Sequence, residues 1–251
     1  HGVDVHLFED LSDKTPDSVF PNNWFTSHND GKFGIFPMFS CNRRLEKNLK
    51  IIEALSRQYQ VKDLIDYSSW VEQEQFLEGT GSMVFDHVLR LAYAARSNRT
   101  SETLLKKFCQ DFNYQPVIFD ATDENNLPIY HTNVMMSIAS DFAMIGMSSI
   151  KDWQQNRQVR QLIAQSGKAL IELSFTQIKQ FAGNTLELST PNGNILALSQ
   201  TAFASLTTSQ KKCLEQYCQL VPLSVPTIEL AGGSVRCMLA GIHFNKQDSG
   251  N

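Results

Sequence analysis

A carboxylate, an imidazole and a thiol stand in three short segments: Phe76-Leu-Glu78-Gly-Thr-Gly81-Ser, Tyr130-His131-Thr-Asn133 and Gly232-Gly-Ser-Val-Arg236-Cys237. Each opens a stretch that reads as a β-hairpin. They recur at a spacing of about 50 residues, or twice that, as copies of one repeated unit would. Cys, His and Glu together are the chemistry of a thiol nucleophile served by an oriented proton carrier. A repeat explains how side chains so far apart in the chain converge, and the trio points to an enzyme.

Each residue also has a plainer reading. A cysteine in an apolar strand is more often inert packing than a nucleophile. Gly232 and Gly233, which permit close backbone approach, and Arg236, a cation able to hold a thiolate or a substrate anion, tilt Cys237 toward function. A single histidine is usually a satisfied structural residue. Glu78, however, sits in a segment too apolar for a merely solvated charge, and a buried carboxylate needs a partner such as His131. Cys109, Cys213 and Cys218 fall on or beside helical stretches and read as structural, and Cys41 as incidental. His28 lines the pocket or, in the plainer reading, is solvated in a hairpin turn; Asn184 supports the site or caps a helix; Met135, Met136, Met144 and Met147 fill the core.

The elements that must position these groups follow from turn chemistry and periodicity. Paired β-runs are expected at Trp24–Pro37, Ser82–Tyr93, Val134–Met147, Leu186–Leu198 and Val235–Phe244, with Asp-Gly and Asn-Gly at turn positions. Amphipathic helices are expected over Arg43–Tyr59, Ser101–Phe112, Lys151–Gln165 and Thr207–Tyr217. Short apolar strands follow at Val61–Leu64, Pro116–Phe119, Ala169–Leu173 and Leu220–Leu223. The unit is strand, strand, helix, strand. The fifth hairpin has no helix after it, and Val3–Phe8 looks like a closing strand with no unit before it. A ring whose last unit is shared between the chain ends resolves both, leaves no open sheet edge, and places the helix of that unit upstream of His1. An ordinary α+β domain with coincidental spacing is the alternative.

Composition narrows the class. The 251 residues suffice for a sizeable core, as one large domain or two small ones, and 42% hydrophobic with 19% charged residues is ordinary for a soluble protein. A net charge of -4 with scattered basic residues gives no concentrated positive face for nucleic acid. The apolar runs are too short for a membrane span and do not read as a signal peptide. Five cysteines form no CxxC pair, which suits reduced thiols in a cytoplasm and offers no zinc-ligand spacing.

Taken in order, Pro16-Asp17-Ser-Val-Phe20-Pro-Asn22-Asn23, Asn42-Arg43-Arg44, Leu77-Glu78-Gly-Thr-Gly81, Ala95-Arg96-Ser-Asn98, Tyr130-His131-Thr-Asn133 and the Cys237 segment resemble the guanidino-group modifying superfamily over essentially the whole chain. That superfamily comprises arginine deiminases, dimethylarginine dimethylaminohydrolases and amidinotransferases; the branch most resembled is the amidinotransferase-like, citrulline-utilisation hydrolase type. The resemblance implies one catalytic domain over 1–251, an α/β five-bladed propeller (pentein) with pseudo-fivefold ββαβ repeats, one blade lacking its N-terminal helix in this chain. It implies Cys237 as nucleophile, His131 as general acid/base, Glu78 as the carboxylate that orients it, Asp17 as a holder of the substrate's terminal nitrogens, and Arg43 and Arg96 as grips on its α-carboxylate. Helix-terminal or loop solvation is the plainer reading of the two arginines.

The departures from the family pattern also inform. Asn22, Asn23 and Asn133 stand where acids are common in members that bind a cationic guanidinium, and Gly81 where an aspartate is common. Asparagine offers a donor and an acceptor without charge, which suits a neutral ureido group better than a guanidinium. The expected function is cysteine-dependent hydrolysis of a non-peptide C–N bond, with citrulline giving ornithine, carbon dioxide and ammonia. Arginine or methylarginine hydrolysis, amidino transfer, and a non-catalytic binding propeller are the alternatives. No metal or cofactor and no partner beyond a small amino acid are expected; the oligomeric state is open, a homodimer included.

Overall fold

Polar turns fold the apolar segments back on themselves as the Asp-Gly and Asn-Gly pairs predict. The structure is a computed structural model that describes residues 1–247. The first unit is β1 (Phe25–Ser27), β2 (Lys32–Ile35), α1 (Leu49–Gln58) and β3 (Asp63–Asp66). The second opens with a short helix α2 (Gly79–Ser82), then β4 (Val84–Asp86), β5 (Leu91–Ala95), α3 (Glu102–Phe112) and β6 (Gln115–Phe119). The third repeats this with α4 (Thr132–Met135), β7 (Met136–Ile138), β8 (Phe142–Ile145), α5 (Trp153–Gln165) and β9 (Ala169–Glu172). The fourth has α6 (Phe175–Lys179), β10 (Leu186–Thr190), β11 (Gly193–Ser199), α7 (Gln200–Ser205), α8 (Thr208–Leu214) and β12 (Gln219–Leu223), and α9 (Pro226–Leu230) follows.

In each unit the first two strands pair antiparallel and the third returns parallel to the second, as a helical crossover requires. Side-chain caps set where the helices begin. Asn48 accepts from Lys50 N, Ser101 from Leu104 N, Asp152 from Gln155 N, and Ser174 and Thr207 form capping boxes with Gln177 and Gln210. The middle strands are buried: all of Leu91–Ala95 and Phe142–Ile145 lies within the protein. One apolar core joins the second, third and fourth units through Tyr93, Phe119, Phe142, Ile145 and Leu198 and contains all four methionines assigned to it. A second core of Phe36, Phe85, Phe108 and Phe112 fills the space between the first two units.

Three expectations are corrected. Val235–Phe244 forms no hairpin: residues 235–238 make a turn closed by Cys237 N to Ser234 O, and the chain runs on irregularly. Its apolar composition is strand-like, but no second strand lies beside it among the described residues. The Ser27 hydroxyl does a strand's work instead, donating to Gly241 O and accepting from His243 N, each at 2.8 Å. Val3–Phe8 is likewise no strand; it is mostly exposed and tethered at His6 to the Tyr59 hydroxyl. The helix expected over Arg43–Tyr59 is broken: Asn42–Glu46 is a 3₁₀ turn, and Asn48 caps a new helix. The break leaves Arg43 free to turn inward.

Candidate active site

Most of the polar residues that converge here occupy one structural position repeated around the fold, the stretch just ahead of the first strand of a unit. Asn22 and Asn23 precede β1, Glu78 and Gly81 precede β4, His131 and Asn133 precede β7, and Asn184 precedes β10. These stretches pack together: α2 contacts α4, β1 and the 3₁₀ turn Pro21–Asn23, and β4 contacts β7. Cys237 comes from the turn after α9.

Glu78 and His131 meet as expected. Glu78 Oε2 lies 2.6 Å from His131 Nε2 and 3.1 Å from an Arg99 terminal nitrogen, while Oε1 accepts from Phe39 N at 2.9 Å. Burial alone raises the Glu78 carboxyl, but the His131 hydrogen bond, Arg99 and the Phe39 amide outweigh it and hold the group at about 2. An ionised carboxylate only accepts, so His131 carries its proton on Nε2. Burial keeps the imidazole's pKa below its ordinary value against the pull of Glu78, so the resting ring is neutral with its lone pair on Nδ1. That nitrogen faces Gly81, where a Cβ would stand 2.9 Å from Nδ1 and 2.4 Å from Asn23 Nδ2.

Cys237 joins this group through amides. Its sulfur lies 3.2 Å from Asn184 Nδ2 and 3.5 Å from Asn133 Nδ2, and Asn133 is two residues past His131. Tyr130 reaches across the same side from an exposed position, its hydroxyl donating to Gly232 O at 2.7 Å. Close approach at Gly233 is to the Phe20 ring, 2.6 Å from a Cβ placed there.

Two carboxamides have orientations dictated by their neighbours. Arg43 can only donate, so Asn23 must turn Oδ1 toward it at 2.8 Å, leaving Nδ2 buried with no partner. The Thr80 hydroxyl donates to Asn22 O and therefore accepts from Asn22 Nδ2, both at 3.2 Å, which leaves Asn22 Oδ1 buried and unpartnered. An orphan donor and an orphan acceptor thus stand on adjacent buried residues, and Asn133 Oδ1 and Asn184 Oδ1 are further buried acceptors without a partner.

The arginines differ from expectation. Arg43 is buried and heavily engaged: Glu46 takes Nε at 2.8 Å and a terminal nitrogen at 2.9 Å, the Phe20 carbonyl shares that nitrogen at 3.3 Å, and Asn23 takes the other terminal nitrogen at 2.8 Å. So engaged, Arg43 holds the Asn23 carboxamide oxygen and is not a free side chain. Arg96 is 40% exposed and pairs with Glu102 and Asp120; the arginine that reaches Glu78 is Arg99, in the same loop. Asp17 is half-buried near Arg43, which reaches its carbonyl at 3.5 Å, and its carboxylate has no hydrogen-bond partner among the described residues. His28 is neither pocket-lining nor solvated: it is 1% exposed, bonded to Thr26 and packed on Phe112. Among the described residues no cluster of His, Cys, Asp and Glu is arranged to hold a metal, and no helix is long and apolar enough to cross a membrane.

Repeated ββαβ units that deliver a thiol, an imidazole–carboxylate pair and buried carboxamides define the class: a pentein of the guanidino-group modifying superfamily. The chain belongs to the family described as N,N dimethylarginine dimethylhydrolase, eukaryotic, which matches residues 1–244. Solved structures agree on the fold. The apo structure of ArgZ, an arginine dihydrolase from the ornithine–ammonia cycle in cyanobacteria, superposes with a TM-score of 0.71 at 16% identity, over 90% of this chain and 33% of that one. A mutant of AgrE in complex with L-arginine gives 0.72 at 16% identity, over 95% and 33%. A dimethylarginine dimethylaminohydrolase adduct with 4-chloro-2-hydroxymethylpyridine gives 0.61 at 10% identity, over 90% and 79%. The chain spans about a third of the length of the ArgZ and AgrE chains. No curated protein matches it in sequence.

Proposed function

We propose that this chain hydrolyses a C–N bond of a ureido amino acid, citrulline being the substrate of best fit, through a covalent adduct on Cys237. The observation that carries the substrate class is the orphan pair on Asn22 and Asn23. A ureido group has one C=O acceptor and N–H donors; Asn23 Nδ2 serves the first and Asn22 Oδ1 the second. A guanidinium has donors only, so the Asn23 amide would face it unpaired, at a cost of about 1–3 kcal/mol for a buried polar group.

The steps use the chain's own groups. Cys237 gives its proton to His131 Nδ1 and attacks the ureido carbon, forming a C–S bond. The imidazolium, braced by Glu78, returns that proton to the departing nitrogen as the C–N bond breaks and ornithine leaves. Water then attacks the S-carbamoyl carbon while Nδ1 takes its proton; the thiolate departs, and the carbamate released decomposes to carbon dioxide and ammonia.

A second reading, hydrolysis of arginine or a methylated arginine, is favoured by the unpaired Asp17 carboxylate and by the arginine dihydrolase activity of ArgZ. Cys237, His131 and Glu78 keep their roles, but the departing group is ammonia or a methylamine and the sulfur holds an alkylthiouronium in place of a carbamoyl group. Turnover of citrulline, arginine, methylarginines and agmatine under one condition, with and without glycine as an amine acceptor, separates the readings. Citrulline should be fastest, glycine without effect, and quenched mixtures should carry a carbamoyl group on Cys237 by mass spectrometry. Arginine turning over faster than citrulline overturns the ureido assignment.

A further inference from the structure

The fourth unit brings Asn184 to the sulfur, and several contacts fix it there. Gly183 lets the chain between α6 and β10 press against α4, since a Cβ there would stand 2.5 Å from Val134 O. Asn184 N donates to Phe181 O at 2.9 Å, Asn184 O accepts from Arg236 N at 3.4 Å, and the neighbouring Thr185 hydroxyl bonds Ser137 at 2.8 Å. The residue is 1% exposed. Its side chain links the His131–Asn133 segment to the Cys237 turn.

The orientation of its amide is settled by its partners. Asn133 O only accepts, and Asn184 Nδ2 lies 3.0 Å from it. The second hydrogen of the same nitrogen then points at Cys237 Sγ, 3.2 Å away. Asn133 Nδ2 approaches the sulfur from its own side at 3.5 Å. Sulfur in a thiol is a weak acceptor and a thiolate a much stronger one, so donors held on it favour the anion.

We propose that Asn184 is a catalytic residue whose amide N–H holds the Cys237 thiolate in place for attack, with Asn133 as a weaker second donor. The proposal rests on Cys237 being the nucleophile. It explains why a buried polar side chain occupies this position and why its amide nitrogen, not its oxygen, meets the sulfur.

Alkylation of Cys237 by iodoacetamide, followed across pH by peptide mass spectrometry, tests this without any substrate. In Asn184→Ala the rate at neutral pH should fall about tenfold, the loss of one hydrogen bond to a charged group, and the rise of rate with pH should move to higher pH. Asn184→Asp, which cannot donate when ionised and adds negative charge, should be slower still. Asn184→Ser, too short to reach both acceptors, is read in the same way where the alanine variant does not fold, with thermal unfolding reporting the fold. A folded Ala or Ser variant with the wild-type pH profile overturns the donor role. A wild-type Cys237 that alkylates like Cys41, which is exposed, instead overturns the nucleophile reading on which the proposal rests.

Discussion

Arg43 donates to Asn23 Oδ1 at 2.8 Å while Glu46 grips the same guanidinium at 2.8 and 2.9 Å. The ion pair is buried on both sides, with side-chain exposures of 5% and 1%. Burial opposes the arginine's charge, but Glu46 keeps its pKa above the ordinary value. The pair thus fixes which end of the Asn23 amide is bound and which is left without a partner.

Replacing Arg43 should accordingly show two separable effects. Arg43→Met leaves Glu46 buried and unpaired, and urea denaturation should register a loss of about 3–5 kcal/mol. The double variant Arg43→Met, Glu46→Leu removes both charges and should recover most of that stability. It should not recover discrimination between citrulline and arginine, because Asn23 is then free to flip. Discrimination restored along with stability would sink the orienting role.

Gly81 carries the next prediction. A methyl group there would sit 2.4 Å from Asn23 Nδ2 and 2.9 Å from His131 Nδ1. Gly81→Ala should cost about 1–3 kcal/mol of stability by overpacking. Its kcat/KM should fall by about tenfold or more, since misplacement of a proton carrier by a fraction of an ångström is expensive in rate. Gly81→Asp adds a carboxylate at the site and should raise the ratio of arginine to citrulline turnover. Steady-state kinetics on both substrates decides it.

Part of this site is legible from residue types alone. Glu78 and His131 stand out because each precedes glycine or threonine at the start of an apolar stretch, Cys237 because it follows Gly232-Gly233 and Arg236, and the hairpin turns fix four of the units. The fifth hairpin misleads because a strand needs a partner: Val235–Phe244 is apolar enough for a strand, but pairing is a long-range property that local composition does not encode. Arg43, Arg96 and Arg99 are indistinguishable to the sequence, since a long flexible side chain reaches whichever carboxylate the fold brings near. Asn184 does have a sequence signal, its place just before the first strand of the fourth unit, matching Asn23 in the first; the unequal loop lengths between repeats obscure it.

Glu78→Gln tests the imidazole's orientation. The glutamine amide can offer its NH₂ to His131, which stabilises the wrong tautomer, and it leaves Arg99 without its anion. Loss of an orienting carboxylate costs up to about 10⁴-fold in kcat in comparable triads. A fall of about 10²-fold or more in kcat with little change in KM is expected; an unchanged kcat would remove Glu78 from the mechanism.

The last prediction concerns His28, which sits 1% exposed among aromatic rings, its Nε2 2.9 Å from the Thr26 hydroxyl. Burial first, and then the neighbouring His87, His243, Arg90 and Lys32, which would repel a charged ring, lower its pKa to about 2. In the unfolded chain it titrates near its ordinary value of 6.5, so below that pH the unfolded state binds a proton that the folded state refuses. Stability contributed by the neutral ring is therefore complete above the unfolded pKa and lost as pH falls, by up to about 1.4 kcal/mol per pH unit. His131, also held below its ordinary value, adds to the slope in the same direction. Glu78, depressed from 4.5 to about 2, contributes only below its own unfolded value. Between pH 6.5 and 5 the loss should thus come from histidines, about 2 kcal/mol for His28 alone. Urea denaturation of wild type and His28→Phe across that interval should show the slope clearly reduced in the variant; parallel curves would mean that His28 is not buried neutral.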